Sequence, residues 1–210
     1  MANALIIGAT GGIGSALSKR LQQDYDLTLV GRDEAKLRDL KASTGANVVP
    51  TNVESELEVQ ALFDELGDLD LIVYAAGDIK PMPLKVTAGD DWRRVMDANL
   101  TGVFHTLKYA DAKLNKGARI FVLGARPELI TYRGFGAYAA AKAGVAQLVK
   151  IAAIEMKRKA SLTLVLPIAV KSDFWDNVGT PPDNALEPDV VAKAIVDSLQ
   201  GEPEEELRVG

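Results

Sequence analysis

The sequence predicts a single α/β domain in which a doubly wound parallel sheet lies between two layers of helices, and three observations predict it. Short apolar runs bounded by glycine recur along the chain, amphipathic segments separate them, and 210 residues is the size of one domain. Folding at this length hides roughly 70% of the surface that the unfolded chain exposes, so a substantial core is available.

The first strand is Ala4-Leu5-Ile6-Ile7, and the helix after it carries Ala16, Leu17 and Leu21 at helical spacing. Leu27-Thr28-Leu29-Val30 and Val48-Val49 are the second and third strands, followed by an amphipathic helix through Leu57, Val59, Leu62 and Phe63. The runs 69–74, 119–123 and 162–166 complete six buried parallel strands. Strand and helix alternation with right-handed crossovers leaves a three-layer α/β/α arrangement, Rossmann-like in its winding. Gly179, Pro181 and Pro182 interrupt any helix across 171–188, which reads as a loop or short lid. The acidic stretch 202–206 precedes Leu207-Arg208-Val209, which either adds a last short strand or frays.

A net charge of -5 argues against a broad nucleic-acid surface, because phosphate binding needs clustered Lys and Arg. The tight basic cluster Lys157-Arg158-Lys159 is expected to close a helix and complement its dipole. Cysteine is absent, which excludes disulfide and thiolate chemistry, and a metal site would have to be built on His105 and carboxylates. His105 lies in an expected helix and reads as a packed or surface residue. No continuous apolar run approaches the roughly 20 residues of a membrane span, so the expectation is a cytoplasmic protein with no membrane partner.

Gly8, Gly12 and Gly14 follow the first strand and open the first helix, where close backbone approach and exposed N–H groups suit a phosphate. Thr10 and Ile13 fall within the same turn. Arg32 follows the second strand, at the place where such folds read the adenosine ribose, and arginine there can neutralise a 2'-phosphate. Asp33 beside it either caps the next helix or reaches a ribose hydroxyl. Tyr138 and Lys142, four residues apart, share one helix face. A free tyrosine has a pKa of about 10, and a neighbouring ammonium is expected to lower it toward the range useful for proton transfer.

The Gly-x-x-x-Gly-x-Gly turn, the Tyr-x-x-x-Lys pair and the segment around Asn99 together resemble the short-chain dehydrogenase/reductase family, over nearly the whole chain. The resemblance implies an oxidoreductase that interconverts a small-molecule carbonyl and alcohol without metal. Tyr138 would be acid/base, Lys142 would tune the tyrosine and hold the nicotinamide ribose, and Asn99 would hold a relay water. It favours NADP(H) as cofactor, through Arg32, with NAD(H) as the alternative. It places Asn52 and Val53 at adenine, Tyr74-Ala75-Ala76-Gly77 where the family reads Asn-Asn-Ala-Gly, with both asparagines and their side-chain support for the sheet replaced, and Pro167, Val170 and Ser172 over the nicotinamide amide.

Ala125 departs from the family pattern, standing thirteen residues before Tyr138 where a serine is the usual carbonyl-polarising donor. Arg126, Thr131 and Tyr132 are the candidate substitutes; Arg126 can also select an acidic substrate or be a plain turn residue before Pro127. A non-catalytic NADP(H)-binding sensor is the reading from another class. The resemblance also implies a homodimer or homotetramer packed through the helices containing 99–114 and 138–159.

Overall fold

The computed structural model describes residues 1–210 and contains one seven-stranded sheet, every neighbouring pair of strands parallel. The strands are β1 (Ala2–Ile7), β2 (Tyr25–Gly31), β3 (Asn47–Pro50), β4 (Leu69–Tyr74), β5 (Leu114–Leu123), β6 (Ala160–Pro167) and β7 (Glu206–Val209). Their order is β3-β2-β1-β4-β5-β6-β7, so the winding reverses between β1 and β4. All six expected strands form. Leu207-Arg208-Val209, after the acidic stretch, forms a true strand, with Leu207 paired to Val165.

Eight helices flank the sheet: α1 (Gly12–Leu21), α2 (Glu34–Thr44), α3 (Glu56–Glu65), α4 (Gly89–Met96), α5 (Gly102–Ala110), the short α6 (Pro127–Ile130), α7 (Gly136–Glu155) and α8 (Pro188–Leu199). The period of two along β1 sorts its side chains between two cores. Leu5 and Ile7 pack with Val59, Val103 and Val145 from α3, α5 and α7. Ala4 and Ile6 pack on the other face with Leu17, Leu37 and Ile195 from α1, α2 and α8. Ile6 and Ile7 are fully buried, and each such side chain contributes about 1.5–3 kcal/mol.

Local chemistry fixes the helix starts near the cleft. Asp33 caps α2 by accepting from Lys36 N at 3.0 Å, which settles the alternatives for that residue in favour of capping. Ser55 caps α3, and Glu58 accepts from Asn52 N at 2.7 Å, drawing the end of β3 onto the helix. Pro188 opens α8 at a position where its missing N–H costs nothing.

Two expectations need correction. The cluster Lys157-Arg158-Lys159 lies in the turn past α7, whose last turn holds no basic residue; Lys159 instead bonds Asp111 on the neighbouring segment. Apolar content is also higher than the runs imply, since α7, with 20 residues, is long and apolar enough to cross a bilayer. Its composition has another cause: Val145, Val149 and Ala152 pack into the core beside β5 and β6.

Candidate active site

The cleft forms where the sheet order reverses, because the C-terminal ends of β1 and β4 diverge there into separate loops. Gly8 leaves β1 with φ of 81°, and a Cβ at that position would overlap the backbone of Ala75 and Ala76. Only glycine permits both the left-handed conformation and the contact. Gly11 N donates to Gly8 O at 3.1 Å, closing the turn, and α1 begins at Gly12 with no side-chain cap and no acidic residue in its first turn. First-turn amides have no partner within a helix, so the positive end of α1 stands available to an anion. Gly14 and Thr10 support this turn from behind, Thr10 lying against Gly31 of β2.

From Gly12 and Ile13 the cleft extends past the ends of β4, β5 and β6, with a volume of about 840 Å³. Ala75, Ala76 and Gly77 line it from β4, and Pro167, Val170 and Ser172 line it beyond β6. An uncapped helix start, a backbone trimmed of side chains at the strand crossing and a long cleft fit a phosphate-bearing dinucleotide.

Tyr138 and Lys142 sit on one face of α7 in the same cleft, with the Lys142 ammonium 5.6 Å from the centroid of the Tyr138 ring. Lys142 is buried, and its Nζ donates to Leu123 O at 2.8 Å at the end of β5. Burial lowers its pKa to about 8. Burial also pushes the Tyr138 phenol above its ordinary range, opposite to the expected lowering. The ammonium stands over the ring and directs one hydrogen bond to Leu123 O, with none to the phenol oxygen, so desolvation governs the phenol.

Asn99 occupies a π-helical turn, Asp97–Thr101, inserted between α4 and α5. Widened turns of this kind free backbone groups and turn side chains inward. Its Nδ2 donates to Val95 O at 2.9 Å and to Asp78 O at 2.6 Å. Two flanking carbonyls demand the amide nitrogen on that side, which leaves Oδ1 buried and without a partner. That oxygen and Lys142 Nζ converge on Gly77, where a Cβ would stand 2.8 Å from the first and 3.9 Å from the second. Sequence reasoning thus names three residues that the fold does bring together.

Several contributors escaped it. Tyr74 takes the place of an asparagine in the resembled pattern, which reads as lost support; instead its hydroxyl crosses from β4 to donate to Ala98 O at 3.0 Å, inside the π turn. Asp78 is held by Arg94 at 2.5 Å while its carbonyl holds Asn99. An unusual Tyr next to small residues was the available signal for the first, and none existed for the second. Phe135 and Phe174 flank Tyr138, with ring centroids at 6.3 and 5.4 Å. Phe174 belongs to the segment 171–188, which forms a short 3₁₀ turn (Asp173–Asn177) over the cleft and is tethered to α2 by Lys36–Asp173 at 2.8 Å.

Ala125 lines the cleft at the end of β5. Two of the three substitutes proposed for a donor there hold backbone carbonyls. Arg126 donates to the carbonyls of Leu166, Val209 and Gly210, at 3.1, 3.2 and 2.6 Å, fastening β7 to β6. It is not an idle turn residue, and its Nη1 makes no hydrogen bond while the side chain lines the cleft. Thr131 Oγ1 donates to Pro127 O, and Tyr132 stands largely exposed at the rim.

At the other end, Arg32 projects into solvent and pairs with Glu54 at 3.1 Å. Asn52 Oδ1 accepts from Glu54 N at 3.2 Å, so its side chain already shapes the turn after β3. Val53 is buried against the Gly102 backbone, and its carbonyl takes the ring nitrogen of His105 at 3.0 Å. His105 is accordingly a packed residue.

Among known proteins, residues 2–182 match the family model described as short chain dehydrogenase. A carbonyl reductase family member 4 from Xenopus tropicalis is 30% identical over 209 residues, covering 95% of this chain and 85% of that one. A solved structure described as a short-chain oxidoreductase from Thermus thermophilus superposes with a TM-score of 0.89 at 36% identity, over 96% of this chain and 97% of that one. The fold is shared as well with BdcA, solved in complex with NADPH, at a TM-score of 0.89 and 22% identity over 99% and 92% of the two chains.

Proposed function

This chain belongs to the short-chain dehydrogenase family and is an oxidoreductase, and from that premise we propose that it uses NADP(H) to interconvert a carbonyl and an alcohol, with Tyr138 as acid/base. The observation that carries the reading is the convergence of Tyr138, Lys142 and the unpartnered Asn99 Oδ1 in the cleft that begins at the glycine turn. Perturbed titratable groups gathered in one cleft are characteristic of working sites. The NADPH complex of BdcA, which has the same fold, supports the choice of cofactor.

A bound nicotinamide cofactor supplies the hydride and, once oxidised, a positive charge that favours phenolate. The chain's own groups do the rest. Gly12 and Ile13 at the start of α1 receive the pyrophosphate, Arg32 receives the 2'-phosphate, and Pro167, Val170 and Ser172 bound the nicotinamide end. Tyr138 Oη holds the proton that a developing alkoxide requires. Lys142, charged below pH about 8, holds the ribose and balances the phenolate. Asn99 Oδ1 accepts the hydrogen bond of a relay water. Phe174 and the segment 171–188 act as the lid that keeps bulk water from the exchange.

Ala125 favours a second reading, a non-catalytic NADP(H) sensor. One experiment separates the two: NADPH consumption by the full chain against aldehydes, ketones, quinones and enones, with Tyr138→Phe beside it. Turnover that falls at least about a hundredfold in the variant, while NADPH binding persists, supports the enzyme. Binding without turnover on any class of carbonyl supports the sensor.

The exposed apolar residues Phe104 on α5 and Ile151 and Ile154 on α7 support a homodimer or homotetramer built through these helices. Light scattering that returns a monomer at micromolar concentration refutes the assembly.

A further inference from the structure

Resting on the NADP(H) reading above, we propose that Lys36 is shared between the lid and the cofactor: paired with Asp173 it latches the lid over the dinucleotide channel, and a 2'-phosphate that takes the ammonium releases it. Three observations carry this.

The first is where the pair lies. At the end away from Tyr138 the cleft is lined by Gly11, Gly12, Ile13, Ser172 and Asp173, and none of Arg32, Asn52 and Val53 lines it. A dinucleotide lying from Arg32 to Pro167 therefore passes between the glycine turn and the lid. There the lid already presses on the turn, since a Cβ on Gly12 would stand 3.2 Å from Ser172 Cβ and 2.9 Å from Pro188 Cγ. Lys36 spans this passage from the first turn of α2, its Nζ 2.8 Å from Asp173 Oδ2. Arg32 precedes the cap Asp33, and Gly31 before it packs on Thr10 of the glycine turn, so Lys36 and the ribose end are neighbours.

The second is that no other ion pair fastens the segment between Asp173 and Ala185 to another element. Lys171–Glu187 closes the base of the lid on itself, and the Trp175 Nε1 bond to Val170 O also stays at that base.

The third is charge. The hydrogen bond to Asp173, with the charges of Asp173, Asp33 and Asp176 behind it, holds the Lys36 ammonium above its ordinary pKa, and the same bond holds the Asp173 carboxyl below its own. Protons therefore do not open the latch near neutral pH. A competing anion does, because an exposed ion pair contributes little, while a phosphate monoester brings close to two negative charges and three acceptor oxygens. Once Lys36 turns to the phosphate, Asp173 and Asp176 are left without a cation beside a bound polyanion, and repulsion loosens the 3₁₀ turn that carries Phe174. The released turn is then free to admit substrate beside Tyr138, whose ring centroid lies 5.4 Å from that of Phe174.

The test measures amide exchange at Trp175, Val178 and Gly179, whose N–H groups close this turn, in the full chain saturated with adenosine 2',5'-bisphosphate or with adenosine 5'-phosphate. The bisphosphate is expected to quicken exchange about threefold or more, and the monophosphate to leave it unchanged. Lys36→Met and Asp173→Asn, both at exposed positions, should each give the faster exchange without ligand. They should move bisphosphate affinity in opposite directions: down about tenfold in Lys36→Met, and up about two- to fivefold in Asp173→Asn, where Asp173 no longer competes for the ammonium. A plain structural tether would loosen the lid in both variants and leave affinity alone. Bisphosphate that binds more tightly than the monophosphate yet leaves wild-type exchange unchanged or slower overturns the inference and leaves the choice of NADP(H) standing. Unaltered or weaker affinity in Asp173→Asn does the same. Equal affinity for the two nucleotides, or binding of neither, removes the 2'-phosphate reading and the inference with it.

Discussion

Tyr74 and Gly102 occupy a single space: a Cβ on Gly102 would overlap the Tyr74 hydroxyl and lie 3.0 Å from a Val53 methyl. That glycine therefore admits the hydroxyl that donates to Ala98 O, and through Ala98 the tyrosine fixes the π turn that presents Asn99.

Gly102→Ala is expected to destabilise the chain by about 1–3 kcal/mol through overpacking, and Tyr74→Phe by about 1–3 kcal/mol by orphaning a buried carbonyl. Urea denaturation measures both. Turnover should fall in the tyrosine variant even where it remains folded, because Asn99 loses its support; unchanged turnover with reduced stability would confine Tyr74 to a structural part.

Lys142 sets a pH dependence. Since its pKa is lowered to about 8, kcat/KM for NADPH-dependent reduction should decline as pH rises through 8. Lys142→Arg should remove that limb, because a guanidinium stays charged. The stability consequence has a definite sign. Between pH 8 and the ordinary lysine value of 10.5, the unfolded chain binds a proton that the folded chain has released, so the folded state gains as pH rises through this window. Measured against Lys142→Met, the gain should reach about 3 kcal/mol, at about 1.4 kcal/mol per pH unit. A flat difference across the window would show that the ammonium is not desolvated.

If the cofactor carries a 2'-phosphate, Arg32 and Glu54 are the residues expected to set the preference. Their pair is largely exposed on the arginine side, and such a bridge is worth about 0–1 kcal/mol, little enough for a 2'-phosphate to displace. Arg32→Ala should raise the NADPH Kd at least about tenfold with a much smaller effect on NADH, and Glu54→Gln should tighten NADPH a few-fold. Calorimetric titration of both cofactors checks this, and an equal loss for NADPH and NADH would move the phosphate site elsewhere.

Arg126 holds the edge of the sheet. Arg126→Ala removes charged hydrogen bonds to three carbonyls and should cost about 2 kcal/mol. The loss should be local. Amide exchange is expected to quicken in β7, from Glu206 to Val209, and not in β3 at the opposite edge.

Much of this molecule is legible before any coordinates. Apolar runs such as 4–7 and 69–74 announce buried strands because a sheet covered on both faces leaves no polar side to alternate with. Glycines bunched after the first strand announce a backbone that must be approached closely. Tyr138 and Lys142 are legible as a pair because helical geometry alone puts them on one face.

Other parts are not local, and the chain gives no period or spacing for them. Arg126 looks like a substrate clamp in one dimension, because nothing near it in the chain reveals that Val209 and Gly210, more than eighty residues away, will return beside β6 with carbonyls to satisfy. Tyr74 looks like a lost asparagine for the same reason. The sign of the Tyr138 shift depends on where the Lys142 ammonium points, and that is fixed by Leu123 O on another strand.

The sequence by itself determined the alternation of strands and helices and the glycine turn, which follow from periodicity and spacing, while the Tyr138, Lys142 and Asn99 set was legible through the family resemblance. Only the tertiary structure decided which donors remain free beside Ala125, which rings wall the cleft and which charges are desolvated. Those properties belong to groups brought together from distant strands, and hydrogen-bond commitment and burial exist only once the chain has closed around them.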